Sequence, residues 1–374
     1  MQTELMTLSK QNRAEAIRRA AKTVENGGLV AFPTETVYGI ACRAKEDSIA
    51  RLDDVKGRAP KKRYTLHIGE ASQLDRYVPH VPYRARKLVE KLWPGPLTIV
   101  FDIATDKYQD LKNRIGEESF SLLYRDGTLG VRCPDNAVAV ELLKTVVWPT
   151  VAPSANYAGQ PPAVTPDEVL ASLKGKVDLV LTDPGAPCRE GKGSTVVKVS
   201  KGRLSVLREG TYTEKQLNEL SAVKITFVCT GNTCRSPMAE AFCRKYLSEK
   251  LACGIDEVSE IGYKIASAGV GAWPDRPASE QVCRICQIRG IDATPHRSHL
   301  LTRDDALTSD FIFVMTESHR RHILEMFPEV ESKCLLLSAE GDIPDPIGGG
   351  DEVYRVCAER IYEALKERID EVLL

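Results

Sequence analysis

Short apolar runs alternate with amphipathic segments along the whole chain, which predicts an α/β protein with strands and helices in both halves. In the first half, a predicted helix over residues 12–26 ends at Gly27-Gly28, a common helix end. The segment LVAFPTETVYGIAC is predicted to form a strand interrupted by a turn. Further strands are predicted in YTLHI, PLTIVFDI, LGVRCP, TVAPSAN and DLVLTD, and further helices around residues 81–92, 136–146 and 165–173.

A hairpin pattern near the middle of the chain is followed by a regular alternation of strands and helices. Residues 194–210 predict a β-hairpin that turns at Lys201-Gly202, because β-branched residues alternate on both sides of the turn. After it, strand and helix alternate, which indicates a parallel sheet with helices on both faces. The strands are predicted at residues 224–229, 263–267, 310–316 and 333–338, and the helices at 237–250, 279–289, 318–327 and 351–373.

The two halves meet in the polar segment TYTEKQLNELSAVK. A chain of 374 residues is longer than one hydrophobic core usually supports, so two domains are expected. We predict a first domain over residues 1–212, a linker over 213–223 and a second domain over 224–374.

Composition narrows the function classes without selecting one. Lys and Arg number 51 and Asp and Glu 52, so no overall charge excess favours nucleic acid or membrane partners. The first twenty residues lack the apolar core of a signal peptide, and no apolar run approaches the ~18 residues of a membrane span. Eleven cysteines without a framework pattern favour reduced thiols and a cytoplasmic location.

The stretch FVCTGNTCRSPMAEAF, residues 227–242, carries the clearest chemistry in the second half. Strand KITFVC delivers Cys229 to its carboxyl end, a five-residue loop follows, and Ser236-Pro237 resembles a helix start. Backbone N–H groups of such a loop and the helix N-terminus form an anion cradle of phosphate size, which also favours the thiolate of Cys229. Arg235 can bind two phosphate oxygens. A thiolate under a bound phosphoryl group predicts a phosphocysteine intermediate.

A leaving group in this chemistry needs a proton donor. The loop IPDPIGGG, residues 343–350, supplies Asp345 after a later predicted strand, so its carboxyl group is expected at the same sheet edge as Cys229.

Other interpretations of the cysteines stay open. Cys229 is a buried small side chain in the simplest alternative. Cys234 either packs the loop or forms a disulfide that protects Cys229 from over-oxidation. Cys283 and Cys286 form the one nearby pair, and a redox or zinc role for them is weak without a second pair of ligands.

Residues 224–374 resemble the low-molecular-weight protein tyrosine phosphatase family across nearly their whole length. The resemblance implies that Cys229 is the nucleophile, Arg235 the phosphate-binding residue and Asp345 the general acid, with SAG at residues 267–269 supporting the loop. Asn232 and Ser236 match its loop-ordering positions. The implied phosphate loop consists of Thr230, Gly231, Asn232, Thr233, Cys234 and Ser236.

Two departures bear on the substrate. Thr233 stands where tyrosine enzymes of this family usually carry a bulky aliphatic residue, and Ile347-Gly348-Gly349 replaces an aromatic pair. These features are more similar to the protein-arginine phosphatase branch. A hydroxyl can contact a guanidinium group, and losing the aromatics weakens the clamp on a phosphotyrosine ring, so phosphoarginine is favoured over phosphotyrosine. A thiol sensor that uses Cys229 and Cys234 is the alternative.

Polar motifs in the first half gather hydroxyls, amides and cations, although each alone has an ordinary interpretation as a cap or a solvated turn. FPTETVYGIAC places Thr34, Glu35 and Thr36 beside Tyr38. Neither a Walker loop nor a dinucleotide glycine fingerprint is present. The other motifs supply Lys56, Arg58, Lys61 and Lys62 in KGRAPKK, Arg132 in VRCP, Ser154 and Asn156 in APSAN, and Ser194 and Thr195 in GKGSTVV.

Residues of about 14–210 resemble the YrdC-type family, the threonylcarbamoyl-AMP synthases of tRNA modification. The motifs that carry the resemblance are GGLVAFPTETVYG, KGRAP, LWPGPLT, VRCPDN, APSANYAGQPP, STVV and LREG. The resemblance implies a twisted mixed sheet and condensation of L-threonine, bicarbonate and ATP with release of pyrophosphate. The implied ATP-binding residues are Lys56, Arg58, Lys62, Ser154, Asn156 and Arg208, and the implied threonine-binding residues are Thr34, His67, Arg132 and Ser194.

The same resemblance implies Mg²⁺ with the ATP and downstream tRNA-modification proteins as partners. No obvious nucleophile is present, so positioning and charge neutralisation would carry the catalysis. Arg63 replaces a proline common in the family, and Pro153 replaces a threonine. An RNA-binding module attached to the phosphatase is the alternative for this half.

The sequence therefore predicts a fusion of a YrdC-like mixed-sheet α/β domain with a doubly wound parallel-sheet phosphatase domain that acts on phosphoproteins.

Overall fold

The computed structural model describes residues 2–57 and 64–373. The chain divides into two compact units. The first unit runs to Ser200 and includes Leu204–Leu220, and the second comprises Ser221–Leu374 with the turn Lys201–Arg203. The predicted linker at 213–223 contains a short helix and the first residue of a strand.

A mixed sheet forms the centre of the first unit. Its strands are β1 (Glu4–Thr7), β2 (Val30–Phe32), β3 (Gly39–Arg43), β4 (Leu66–His67), β5 (Leu97–Asp102), β6 (Thr128–Arg132), β7 (Thr150–Val151), β8 (Leu179–Thr182), β9 (Thr195–Ser200) and β10 (Arg203–Arg208). In the described residues their order is β1-β8-β2-β3-β7-β4-β6-β5-β9-β10. Parallel pairs such as β2 with β8 occur beside antiparallel pairs such as β2 with β3.

The helices of the first unit are α1 (Arg13–Glu25), α2 (Glu46–Lys56), α3 (Tyr83–Leu92), α4 (Tyr108–Ile115), α5 (Glu117–Leu123), α6 (Ala137–Thr145), α7 (Pro166–Leu173) and α8 (Glu214–Leu220), with 3₁₀ turns at Ala71–Arg76 and Thr105–Lys107. Both faces of the sheet are buried. Val30 and Phe32 of β2 pack in one apolar cluster with α1 and α6, whereas Ala31 packs in the other. This alternation follows from the two-residue period of a strand.

The second unit has a four-stranded sheet of β11 (Val223–Cys229), β12 (Tyr263–Gly269), β13 (Phe311–Val314) and β14 (Cys334–Leu336). All pairs in its order β12-β11-β13-β14 are parallel. Its helices are α9 (Arg235–Lys250), α10 (Glu257–Ile261), α11 (Glu280–Ile288), α12 (Arg303–Thr308), α13 (Glu317–Met326) and α14 (Asp351–Leu373), with a 3₁₀ turn at Pro328–Lys333. The predicted fold class is confirmed for both halves.

The strand order positions the site in the second unit. Strand β12, which follows β11 in the chain, lies on one side of β11, and the later strand β13 lies on the other side. Such a reversal opens a crevice outside the carboxyl ends of the strands, where ligands bind in doubly wound sheets. Cys229 is the last residue of β11 and therefore lies at this crevice.

Among the residues that the structure describes, no helix is long and apolar enough to span a membrane.

Candidate active sites

A cavity of about 560 Å³ in the first unit collects most of the polar residues that the sequence singled out. Three of its described lining side chains, Lys56, Arg132 and Arg208, are cationic, and one, Glu209, is a carboxylate. This surplus of positive charge suits an anionic ligand. Eight of the ten predicted site residues line the cavity: Lys56, Ser154, Asn156, Arg208, Thr34, His67, Arg132 and Ser194. Arg58 and Lys62 lie outside the described residues.

The end of α2 fixes Lys56. Gly57 follows in a left-handed conformation with φ 56°, and a Cβ there would lie 2.0 Å from the Tyr157 ring, so the turn requires glycine. The Lys56 amine donates to the carbonyl oxygen of Asn156 at 2.9 Å and also to that of Ser154. The cation thus ties α2 to the segment after β7 and keeps both at the cavity wall.

A buried ion pair orients Arg132 at the end of β6. Its Nη2 donates to Glu35 Oε1 at 2.9 Å and to Thr36 Oγ1 at 2.7 Å, and both charged side chains are less than a tenth exposed. In the described part of the chain, Glu35 Oε2 and Arg132 Nε are buried without a hydrogen-bond partner. The Arg132 guanidinium group also lines the cavity, where it suits a carboxylate or similar anion. Glu35 belongs to the FPTETVYGIAC motif, and its contact with Arg132 gives it a positioning role that the sequence alone does not indicate.

Arg208 lies at the opposite end of the β9–β10 hairpin from its turn. Its Nη2 donates to the Ser194 carbonyl oxygen at 2.7 Å, and Ser194 Oγ lies 2.9 Å from Thr98 Oγ1. A Cβ at Gly210 would lie 2.4 Å from the Gly193 carbonyl oxygen, so the backbone approach behind Ser194 requires glycine. Burial, and next the charge of Arg132, lowers the pKa of Arg208.

His67 contributes an uncharged ring to the same cavity. Burial, and next the charge of Arg132, lowers the pKa of His67 to about 3. Its Nδ1 lies 3.1 Å from the Thr65 carbonyl oxygen, which can only accept a hydrogen bond. The proton of the neutral ring is therefore on Nδ1, and Nε2 is an acceptor.

The phosphate loop of the second unit begins at Cys229, which is 3% exposed, and α9 begins at Arg235. The helix thus starts two residues before Pro237, the residue that the sequence pattern predicts as its first position. Cys234 is the capping residue before its first turn. Cys229 Sγ lies 3.0 Å from Ser236 Oγ. The first backbone N–H groups of a helix have no partner within it, so the start of α9 suits an anion beside the thiol.

Asn232 holds the loop from behind. It has a left-handed φ of 53°, a conformation that asparagine tolerates, and its Nδ2 donates to Ser236 Oγ and Ser267 Oγ, both at 2.9 Å. His299 N donates to Asn232 Oδ1 at 3.0 Å, and His296 Nε2 lies 2.8 Å from the Asn232 carbonyl oxygen. The loop conformation is therefore fixed by a side chain of β12 and by the His296 side chain and the His299 backbone N–H of the segment before α12.

Gly269, the last residue of β12, permits this approach. A Cβ at Gly269 would lie 2.4 Å from the Thr230 carbonyl oxygen and 3.0 Å from Asn232 N. Both neighbours are backbone atoms of the phosphate loop, so they cannot rotate away. The SAG segment at residues 267–269 thus contacts the loop directly, through the Ser267 hydroxyl and the missing Cβ of Gly269.

Arg235 and Asp345 meet although 110 residues separate them. Arg235 Nη2 donates to Asp345 Oδ2 at 2.5 Å, and Nη1 donates to the Ile343 carbonyl oxygen at 3.1 Å. Arg235 Nε is buried and has no hydrogen-bond partner among the described residues. The Asp345 side chain is 40% exposed, so the carboxyl group reaches the mouth of the site while the guanidinium group lies inside it.

Cys234 packs beneath the loop. Its Sγ lies 3.3 Å from the Tyr354 hydroxyl and 3.8 Å from Ser279 Oγ. Burial, and next the contact with Cys234, raises the pKa of Tyr354 to about 12. These contacts support the packing interpretation of Cys234. All eleven cysteines are free thiols in this structure.

Two residues at this site carry no sequence signal of their own. His319 is buried and its Nε2 lies 2.9 Å from Thr230 Oγ1. Trp273 is 77% exposed on the segment whose Gly271 N donates to the Thr230 carbonyl oxygen at 3.0 Å. A histidine in a polar helix and a tryptophan in a loop become informative only once the fold places them.

Among the described residues, no group of three or more His, Cys, Asp or Glu side chains could hold a metal ion.

Comparison with known proteins assigns a family to each unit. The Sua5/YciO/YrdC family, described as Telomere recombination, matches residues 22–210, and the Low molecular weight phosphotyrosine protein phosphatase family matches residues 224–373. The threonylcarbamoyl-AMP synthase of Bacillus subtilis is 32% identical over 204 residues, which are 54% of this chain and 55% of that relative. The chain thus spans about half the length of that relative.

The protein-arginine-phosphatase of Geobacillus stearothermophilus is 37% identical over 155 residues, which are 40% of this chain and 95% of that relative. A solved structure of a doubly substituted P. abyssi Sua5 covers 80% of this chain and 100% of its own, with a TM-score of 0.50 and 22% identity. The sequence resemblances to both families are confirmed.

Proposed function

Because the chain belongs to the Sua5/YciO/YrdC family over residues 22–210 and to the low-molecular-weight phosphatase family over residues 224–373, we propose that it carries two enzyme activities. The first unit makes threonylcarbamoyl-AMP from L-threonine, bicarbonate and ATP with release of pyrophosphate. The second unit hydrolyses phosphoproteins through a phosphocysteine intermediate.

One observation supports the synthase activity above others: a single cavity is lined by Lys56 and Arg208 and by all four predicted threonine-binding residues, Arg132 among them. The Arg132 guanidinium group suits the threonine carboxylate, and Lys56 and Arg208 suit the phosphates of ATP. Mg²⁺ enters as part of the Mg·ATP substrate. No nucleophilic side chain is required. The threonine nitrogen attacks the bicarbonate carbon, a C–O bond breaks and water leaves, which gives the carbamate. A carbamate oxygen then attacks the α-phosphorus and displaces pyrophosphate.

The test of the synthase is pyrophosphate release that requires both L-threonine and bicarbonate. Omitting either substrate should reduce pyrophosphate release to background. With both substrates present, the product should serve downstream tRNA-modification proteins. No release in the complete mixture would favour the RNA-binding alternative, in which the first unit directs the phosphatase to RNA.

The Arg235–Asp345 contact beside Cys229 supports the phosphatase activity. Cys229 thiolate attacks phosphorus, the bond from phosphorus to the leaving atom breaks, and Asp345 gives that atom its proton. Water, deprotonated by Asp345, then attacks the phosphocysteine, releases inorganic phosphate and regenerates the thiolate. Arg235 binds the equatorial oxygens throughout, after releasing its resting contact with Asp345.

Phosphoarginine is the proposed preferred substrate over phosphotyrosine, on the basis of Thr233 and of the missing aromatic pair after Asp345-Pro346. A side-by-side assay of both substrates with the Thr233→Ile variant tests this preference. Thr233→Ile should lower phosphoarginine hydrolysis and raise phosphotyrosine hydrolysis, whereas an unchanged ratio would contradict the assignment.

A thiol sensor remains the second candidate because Cys229 and Cys234 lie on one short loop. Activity in reductant that peroxide abolishes reversibly fits a regulated phosphatase. A total lack of activity in reductant would leave only the sensor.

A further inference from the structure

Thr230, the residue after the nucleophile, is exposed at the phosphate loop, and its hydroxyl is held by a buried histidine. Thr230 Oγ1 lies 2.9 Å from His319 Nε2. His319 is 5% exposed and belongs to α13, which follows β13. A side chain from a neighbouring strand–helix connection therefore reaches the residue beside Cys229.

The histidine ring is fixed at both nitrogens. His319 Nδ1 lies 2.8 Å from Thr316 Oγ1, and the same hydroxyl caps α13 by accepting from His319 N at 3.3 Å. A ring bonded at both nitrogens cannot rotate without losing a hydrogen bond, which is costly for a buried group. The Thr230 side chain is consequently held in one orientation.

The ring is neutral and close to the acid that protonates the leaving group. Burial, and next the charge of Arg235, lowers the pKa of His319 to about 4, and the charge of Asp345 acts on it in the opposite direction. A neutral imidazole has one donor and one acceptor. Whichever nitrogen carries the proton, Thr230 Oγ1 uses one site toward His319 and keeps at least one acceptor lone pair for a ligand.

An acceptor at this position distinguishes two kinds of leaving group. The guanidinium group of phosphoarginine carries N–H donors around the bond that breaks, whereas the aryl oxygen of phosphotyrosine carries none and its ring is apolar. A site built to accept a hydrogen bond discriminates against a substrate that cannot donate one, because the polar group of the site is then left unpaired.

We propose that Thr230, oriented by His319, is a second specificity-determining residue of the phosphatase, which accepts a hydrogen bond from an N–H group of a phosphoarginine substrate. This inference rests on the proposed phosphatase function and is distinct from the role of Thr233. Thr230 contacts substrate, whereas His319 is a positioning residue that acts through Thr230.

The test compares kcat/KM for phosphoarginine and phosphotyrosine in four variants. Thr230→Val removes the hydroxyl at constant size and should lower the ratio of the phosphoarginine value to the phosphotyrosine value about tenfold. Thr230→Ser keeps the hydroxyl and should retain the preference. His319→Leu should reproduce Thr230→Val, whereas His322→Leu, which replaces an exposed histidine of the same helix, should change neither substrate.

The combined Thr230→Val and His319→Leu variant should lose no more than either single variant, because both remove one contact. Equal losses for both substrates would mean a merely structural role and would overturn the inference, as would independent losses that multiply. An unmodified chain that prefers phosphotyrosine would overturn the inference while leaving the phosphatase intact. An unmodified chain that hydrolyses neither substrate would contradict the proposed function itself, and the inference with it.

Discussion

Two histidines of this chain are buried beside arginines, and both are held neutral by the same physics. Desolvation and a neighbouring positive charge disfavour the imidazolium form of His67 in the first unit and of His319 in the second. A neutral ring can accept a hydrogen bond at one nitrogen, which a charged ring cannot do. Each ring is therefore a fixed polar group of its site rather than a titrating one near neutral pH.

The His67 pKa predicts how stability changes with pH. The folded value of about 3 lies below the ordinary value of 6.5, so between these values the unfolded chain binds a proton that the folded chain does not. The contribution is fully present above pH 6.5 and is lost as pH falls toward 3. Between pH 7 and pH 5, the unfolding free energy of the wild-type chain should fall by about 2 kcal/mol more than that of the His67→Gln variant. Denaturant titrations that follow the unfolding of the first unit measure this difference. Parallel pH profiles of the two proteins would contradict this assignment.

Asp345 should matter in proportion to how poor the leaving group is. Asp345→Asn removes the proton donor but leaves the thiolate and Arg235, so hydrolysis of an activated aryl phosphate should slow least. We expect about a hundredfold loss with a poor leaving group and less than about tenfold with an activated one, measured as kcat/KM, which reports phosphoryl transfer to Cys229 and not the later hydrolysis step. Equal slowing for both would count against the acid role.

At the scale of single residues, sequence does not predict the side chains that act through other side chains. The roles of Cys229, Arg235 and Asp345 could be predicted from spacing and resemblance, since a thiol, a guanidinium group and a carboxyl group are the groups that this reaction needs. His319 and the pairing of Glu35 with Arg132 could not, because each depends on which strand lies next to which. Arg58 and Lys62 stay predictions, as they lie outside the described residues.

At the scale of elements, the end of β12 packs closely against the backbone of the phosphate loop. Gly269→Ala would place a Cβ 2.4 Å from the Thr230 carbonyl oxygen. Either the strand or the loop must shift, so phosphate should bind at least about tenfold more weakly and unfolding free energy should fall by roughly 1–3 kcal/mol. Inhibition by inorganic phosphate and denaturant titration measure the two effects.

Gly271→Ala is the matched control, because its added Cβ would lie 4.0 Å from the same carbonyl oxygen, an ordinary contact. Both variants behaving alike would show that the close approach at Gly269 is not what holds the loop.

Most elements could be predicted, and the misses share a cause. The second unit follows the predicted alternation of strand and helix closely, because long apolar runs fill its buried parallel sheet. Strand β1, with a half-exposed pattern over ELMT, has no apolar run and forms because it pairs with β8. The pattern does not predict helices α2, α4 and α5 of the first unit or α10 and α12 of the second, since such helices depend on packing rather than on pattern.

At the scale of the whole molecule, each unit has its own sheet and its own buried apolar residues. Each also belongs to a different enzyme family. These two facts lead us to expect that a substitution in one site leaves the other activity intact. The domain boundaries drawn from sequence stay predictions.

The most direct test measures both activities in Cys229→Ser and Arg208→Gln full-length chains. Cys229→Ser should lose phosphatase turnover at least about a thousandfold while threonine- and bicarbonate-dependent pyrophosphate release stays within about twofold. Arg208→Gln should lower pyrophosphate release about tenfold and leave phosphatase turnover unchanged. Phosphatase turnover that survives Cys229→Ser, or an unmodified chain that releases no pyrophosphate with threonine and bicarbonate present, would contradict the account.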